Sequence, residues 1–169
     1  ILLLLTKSVL SNDIFIEIKG NNFTDEDAIV SLIEKKPTEI STDYSNYIIK
    51  SLNESSLFEN VSVEIIDNKY VVTISEFANI NRVYFNNNER FEDEELEEFS
   101  NELALNNLNP IKIDLFISEI EKLYQSFGYN NIQITFSENK NSETNISDLF
   151  FDINEGKITK IKNIFFRGN

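Results

Sequence analysis

The chain of 169 residues is 41% hydrophobic and 12% aromatic, enough apolar material for a packed core, which excludes wholesale disorder. Its 29 acidic residues against 15 basic ones leave a formal charge of −14, which repels phosphate backbones and excludes a basic nucleic-acid-binding stripe. It has no Cys and no His, so disulfides, thiolate or imidazole zinc sites and His-based catalytic triads are excluded as well.

The opening run Ile1–Leu5 is too short to cross a bilayer, which takes roughly 20 apolar residues. It reads as the end of a signal-peptide hydrophobic region. Val9 and Ser11 fit the small-residue positions of a cleavage site, giving a leader remnant over 1–11 and a mature start at Asn12. The alternative is a partly buried N-terminal strand or helix.

Ile14, Ile16 and Ile18 alternate with Phe15, Glu17 and Lys19, the period of a strand, and Gly20-Asn21-Asn22 stops it. Thr24 with Asp27 resembles a capping box ahead of a helical face formed by Ala28, Ile29, Leu32 and Ile33, and Pro37 ends that helix. Tyr44, Tyr47, Ile48 and Leu52 mark a second helix that Ser41 or Thr42 caps. Two strands follow, Val61, Val63 and Ile65 alternating in one and Tyr70, Val72 and Ile74 in the other. Asp67-Asn68 between them is a hairpin signal without the usual Gly.

The pattern then returns. Ile80, Val83 and Phe85 form a strand running into Asn86-Asn87-Asn88. Phe91, Leu96, Phe99 and Leu103 mark a helix whose first turn is Glu92-Asp93-Glu94-Glu95. After Pro110, the residues Phe116, Ile117, Ile120, Leu123, Tyr124 and Phe127 mark another helix, closed by Gly128. Ile132, Ile134 and Phe136 alternate, a polar stretch over Asn139–Asn145 reads as a longer hairpin loop, and Leu149, Phe151 and Ile153 alternate again. Ile161, Ile164 and Phe166 lead into Arg167-Gly168-Asn169.

These are internal repeats, each strand, helix, helix, strand, strand. Gly20 matches Asn87 and then Gly168. Ser56-Leu57-Phe58-Glu59-Asn60-Val61 matches Ser126–Ile132 with Leu57 set against Gly128. Glu76 matches Glu155. The division expected is a first unit over 12–77, a second over 78–156, and the first strand of a third over 157–169.

Three segments on this frame carry a resemblance. SLFENVSVEI (Ser56–Ile65) looks like a helix-to-strand junction in which Phe58 and then Val61 follow a short turn. YQSFGYNNIQI (Tyr124–Ile134) looks like the same junction, with Gly128 and Tyr129. NEGKITKIKNIFFRGN (Asn154–Asn169) looks like a unit boundary: a last strand ending in Glu155-Gly156, then a new first strand closing on Gly168-Asn169, as the earlier one closes on Gly20-Asn21. Together they resemble the POTRA domains of bacterial outer-membrane protein assembly factors. The resemblance covers the chain from Ile14 onward, with one departure, Asn87 in place of the turn Gly. Asn tolerates positive φ better than most residues, so the turn is expected to survive.

The resemblance implies an α+β fold of tandem POTRA modules. Each has a three-stranded mixed sheet, two helices on one face, and the last strand in the middle. The first and second strands are then edges, and an unpaired edge is a template for another extended chain. The candidate receiving edges are Asn60, Val61, Ser62, Val63, Glu64 and Ile65 (running on to Ile66), and Asn131, Ile132, Gln133, Ile134, Thr135 and Phe136 (running on to Ser137). The partners implied are unfolded outer-membrane proteins, with assembly lipoproteins or periplasmic chaperones. The setting implied is the periplasmic face of the outer membrane, reached through a C-terminal barrel. No cofactor, metal or catalysis is expected. The alternative is the POTRA region of another outer-membrane transporter, of two-partner-secretion or translocation-and-assembly type.

Plainer readings stand beside these. Val61, Val63, Ile65, Ile132, Ile134 and Phe136 read first as core under the helices, so that a partner meets their backbone. Ser62, Glu64, Gln133 and Thr135, on the other face, are the side chains placed to touch it. Phe58 and Tyr129 read as packing where a strand begins. The run Glu92–Glu98 and Asp25-Glu26-Asp27 read as solvated helix starts, where a helix N-terminus favours anions. A hydrolase using Glu76 and Glu155 is the competing chemistry, but matching positions in two repeats speak for structural equivalence.

Overall fold

The computed structural model describes residues 14–160, 162–163 and 165–168. The expected leader remnant over 1–11 lies outside them, as do Asn12, Asp13, Ile161, Ile164 and Asn169. The chain divides into two compact units, Ile1–Glu76 and Phe77–Asn169.

The first unit runs β1 (Ile16–Lys19), α1 (Glu26–Ser31), α2 (Thr42–Glu54), β2 (Phe58–Ile66) and β3 (Lys69–Glu76). Its sheet has the order β1-β3-β2. β1 lies parallel to β3, with Ile16 opposite Tyr70, and β2 lies antiparallel to it, with Val63 opposite Val72. The parallel pair needs a crossover, which α1 and α2 supply. Strand alternation puts Tyr70, Val72 and Ile74 on one face, where they pack with Ile29, Ile33, Ile48 and Leu52 from the helical segment. Burying each of those aliphatic side chains contributes roughly 1.5–3 kcal/mol.

The second unit repeats this as β4 (Asn79–Asn86), α3 (Asp93–Glu102), α4 (Pro110–Ser126), β5 (Gln133–Asn141) and β6 (Ile146–Asn154), with sheet order β4-β6-β5. Leu149, Phe151 and Ile153 of central β6 meet Leu96, Ile113, Phe116, Ile120 and Tyr124 from the helices. Tilted rings at 4.9 Å join Phe116 to Phe151 across the core. Two α+β modules with the last strand in the middle are the architecture the sequence led us to expect. No helix among the described residues is long and apolar enough to cross a membrane.

Local chemistry sets the element ends. Ser41 caps α2, its Oγ accepting from the Tyr44 N–H at 3.2 Å. Pro110 opens α4, where its missing N–H costs nothing. Asp67 and Asn68, at φ +49° and +62°, make a two-residue turn between paired Ile66 and Lys69 without any Gly.

Four local expectations are corrected. Asp25, not Thr24, stands at the N-cap of α1, and its side chain makes no cap hydrogen bond. The Thr24 carbonyl is tied instead to the Asn21 side-chain amide at 3.3 Å. α1 ends at Ser31, well before Pro37. Ser56 at φ +58°, rather than Leu57, occupies the left-handed position that Gly128 holds at φ +93°. The long loop expected over Asn139–Asn145 begins as strand: Asn139, Lys140 and Asn141 pair with Asp148, Ser147 and Ile146. Only a short turn remains, held by the Asn141 carboxamide oxygen accepting from the Glu143 N–H at 2.9 Å.

Candidate strand-receiving edges

Each strand residue points its N–H and C=O to the same side, and the side alternates along the strand. The Tyr70 N–H donates to the Phe15 carbonyl at 3.0 Å, so Tyr70, Val72 and Ile74 bond toward β1. Val71, Thr73 and Ser75 therefore bond toward β2, where Glu64, Ser62 and Asn60 stand opposite them. It follows that Val61, Val63 and Ile65 aim their N–H and C=O groups away from the sheet. In the second unit the Asn79 N–H donates to the Asn145 carbonyl at 2.9 Å. The same alternation then turns Leu149, Phe151 and Ile153 toward β4, and Asp148, Phe150 and Asp152 toward Asn139, Ser137 and Thr135 of β5. Ile134, Phe136, Glu138 and Lys140 are left facing outward from β5. Within each described unit no strand lies beyond β2 or β5.

The residues with outward backbone groups also share a face. Val61, Val63 and Ile134 pack partly buried against the core clusters, and Phe136 lies 6.1 Å from the Phe151 ring. They line the helix side of each edge yet stay open to solvent: Ile65 is 41% and Phe136 is 44% exposed. Ser62, Glu64, Gln133 and Thr135 are exposed on the helix-free face, their backbones bonded to the central strands.

The other edges are poorer templates. β1 is four residues long. β4 carries an irregularity between Ile80 and Arg82, and its start is covered by its own unit, the Ile80 N–H donating to the Asn106 carbonyl and the Leu108 N–H to the Ala78 carbonyl. β2 is irregular only at Phe58/Asn60, and β5 is unbroken for nine residues.

Two candidate residues fall outside the strands. Asn131 and Ile132 precede β5, which starts at Gln133. Ile132 is buried in the core, and the Asn131 backbone lies under Gly156, where an added Cβ would meet the Asn131 carbonyl at 3.0 Å. Conversely, Glu138, Asn139, Lys140 and Asn141 belong to the edge but carry no apolar alternation that would mark them as strand. Phe58 is buried in the first core, and Tyr129 stands edge-on to Tyr124 at 5.8 Å. Gly168 has nothing near it that a Cβ would meet.

The matched carboxylates lock equivalent loops. A Glu76 oxygen accepts from the Phe23 N–H at 3.0 Å, and a Glu155 oxygen from the Arg90 N–H at 2.7 Å. One turn earlier, Asn21 and Asn88 each bond the carbonyl three residues on, that of Thr24 or Phe91. Asn87 keeps its turn at φ +63° and holds Asp152 at 2.5 Å. Each carboxylate thus serves its own unit's backbone, which accounts for both without a reaction. Burial, with the Glu155 charge second, pushes the Tyr124 hydroxyl pKa above its ordinary value. The run Glu92–Glu98 opens α3, where the Glu95 carboxylate accepts from the Glu92 N–H at 2.9 Å.

The POTRA family model, described as a surface antigen variable number repeat, matches residues 78–156, the whole β-α-α-β-β frame of the second unit. Residues 78–156 match that family, and both units have the β-α-α-β-β fold of POTRA domains. The first module repeats the strand order and the loop lock of the second. Over 158 residues the sequence is 25% identical to the outer membrane protein assembly factor BamA of Neisseria meningitidis serogroup B, an alignment covering 91% of this chain and 20% of that protein. The chain therefore spans about a fifth of the length of the curated relative it matches. The N-terminal domain of Omp85 from the cyanobacterium Thermosynechococcus elongatus superposes with a TM-score of 0.56 at 13% identity, covering 89% of this chain and 71% of that one, and shows the same fold.

Proposed function

We propose that the two POTRA modules are the periplasmic protein-binding part of an outer-membrane β-barrel assembly factor. They receive unfolded outer-membrane proteins by strand addition at the outer edges of β2 and β5, and they dock accessory lipoproteins or chaperones. One observation carries the reading. In both modules the longest strand edge is open, and its outward N–H and C=O groups belong to half-covered residues, Val61, Val63 and Ile65 in one and Ile134 and Phe136 in the other. Main-chain hydrogen bonds suit a client class defined by extended conformation rather than by one sequence. The kinship with an outer membrane protein assembly factor supports the same role. On this reading residues 1–11 would be the end of a leader and 157–169 the start of a third module, although none of the described residues among 157–169 lies in a strand.

The test is an amide NMR titration with peptides taken from outer-membrane β-strands, with scrambled peptides as control. Shifts concentrated in Asn60–Ile66 and Gln133–Asn141 are expected. Their absence at millimolar peptide would sink client binding by these modules.

A further inference from the structure

The two edges differ in what they present to a docked strand. On the helix side β2 offers Val61, Val63 and Ile65, apolar throughout. β5 offers Ile134 and Phe136, followed by exposed Glu138 and Lys140. Glu138 and Lys140 lie on that side because their partners across the ladder are core-facing Leu149 and buried Ser147, and cross-strand pairs share a face. All of these residues also turn their backbone groups outward. The side chains that border a docked strand are therefore the ones whose peptide groups bond it.

Resting on the strand-addition reading, we propose that the two edges sort strands by charge. The β2 edge takes a strand apolar at every second position. The β5 edge takes an antiparallel strand that carries, in order from its N-terminus and at every second position, an acidic residue, a basic residue and then two apolar ones. The acidic residue sits opposite Lys140, the basic one opposite Glu138, and the apolar pair beside Phe136 and Ile134. Antiparallel pairing is the more stable ladder and places opposed side chains directly across from each other. Like charges directly opposite each other are destabilising, so reversing the acid–base order turns two attractions into two repulsions.

Three peptides test this against the isotope-labelled chain: Val-Thr-Val-Thr-Val-Thr-Val, Glu-Thr-Lys-Thr-Val-Thr-Val and Lys-Thr-Glu-Thr-Val-Thr-Val. The first should shift the amides of Val61, Val63 and Ile65 at the lowest concentration. The second should favour Ile134, Phe136, Glu138 and Lys140 and bind there roughly tenfold more tightly than the third, from two reversed charge pairs. The double variant Glu138→Lys with Lys140→Glu, both on an exposed edge, should exchange the ranks of the second and third peptides. Equal binding of both charge orders at β5, or an unchanged rank in the double variant, overturns the sorting while strand addition stands. No shift at either edge with any peptide overturns strand addition itself, and the sorting with it.

Discussion

Gly20 has no room for a side chain. At φ +85° an added Cβ would stand 2.2 Å from the Ile74 carbonyl oxygen, in the central strand beside it. Gly128, at φ +93°, would meet the flexible Ile158 side chain at 3.2 Å. Gly20→Ala is therefore expected to cost about 3 kcal/mol or more, and Gly128→Ala about 1–2 kcal/mol, as read by urea denaturation. Equal losses would contradict the packing described. Tyr70 is fully buried, and its hydroxyl accepts from the Ser41 N–H at 2.8 Å while facing the Glu39 carbonyl at 3.1 Å. Tyr70→Phe strands that N–H at the cap of α2 and should cost about 1–3 kcal/mol in the same assay. Tyr44, bonded to the Lys35 carbonyl, has its pKa pushed up from 10.0 to about 12 by burial first and by Tyr47 and Tyr70 next. Its raised value means that the unfolded chain loses this proton first. The contribution to stability is full below pH 10.0 and is lost as the pH climbs through about 12. Urea midpoints should fall across that window, and less so in Tyr44→Phe.

At the scale of elements, the direction of each N–H along β2 is open to a proline scan. Pro is tolerated where a strand N–H faces solvent and disrupts where it bonds the ladder. Val63→Pro should leave the first module folded while removing peptide binding at β2. Glu64→Pro, which breaks a bond to β3, should destabilise the module by about 3 kcal/mol. Circular dichroism melts read both, and an unfolded Val63→Pro beside a folded Glu64→Pro would reverse the assignment. The sequence made the strands legible wherever apolar residues alternate, as in Val61-Val63-Ile65 and Leu149-Phe151-Ile153, and the Ser41 cap was legible too. It hid the far half of β5. Ser137–Asn141 is polar on both faces, so nothing alternates, and the strand exists only because its backbone pairs with β6. It also hid the left-handed Ser56, since the residue expected there is Gly. That the second strand of each unit lies at a sheet edge was legible through the repeat and the family resemblance. Which of its residues turn outward, and the charged pair at its end, needed the register.

For the whole molecule, the repetition is the informative feature. Two modules of unrelated surface detail keep the same strand order, the same carboxylate-to-loop lock and the same open second strand. The chain around them carries −14. A net charge of that size favours solubility. The central claim is that those edges receive unfolded outer-membrane strands. Its most direct test is site-specific photo-crosslinking in cells of the full-length protein, with the photoreactive residue at Val63 or Phe136 and, as control, at Ile111, which is 78% exposed on α4. The expected result is adducts with newly made outer-membrane proteins from the two edge positions and none from Ile111. Adducts from Ile111 alone, or from none of the three while outer-membrane proteins are being assembled, would contradict it.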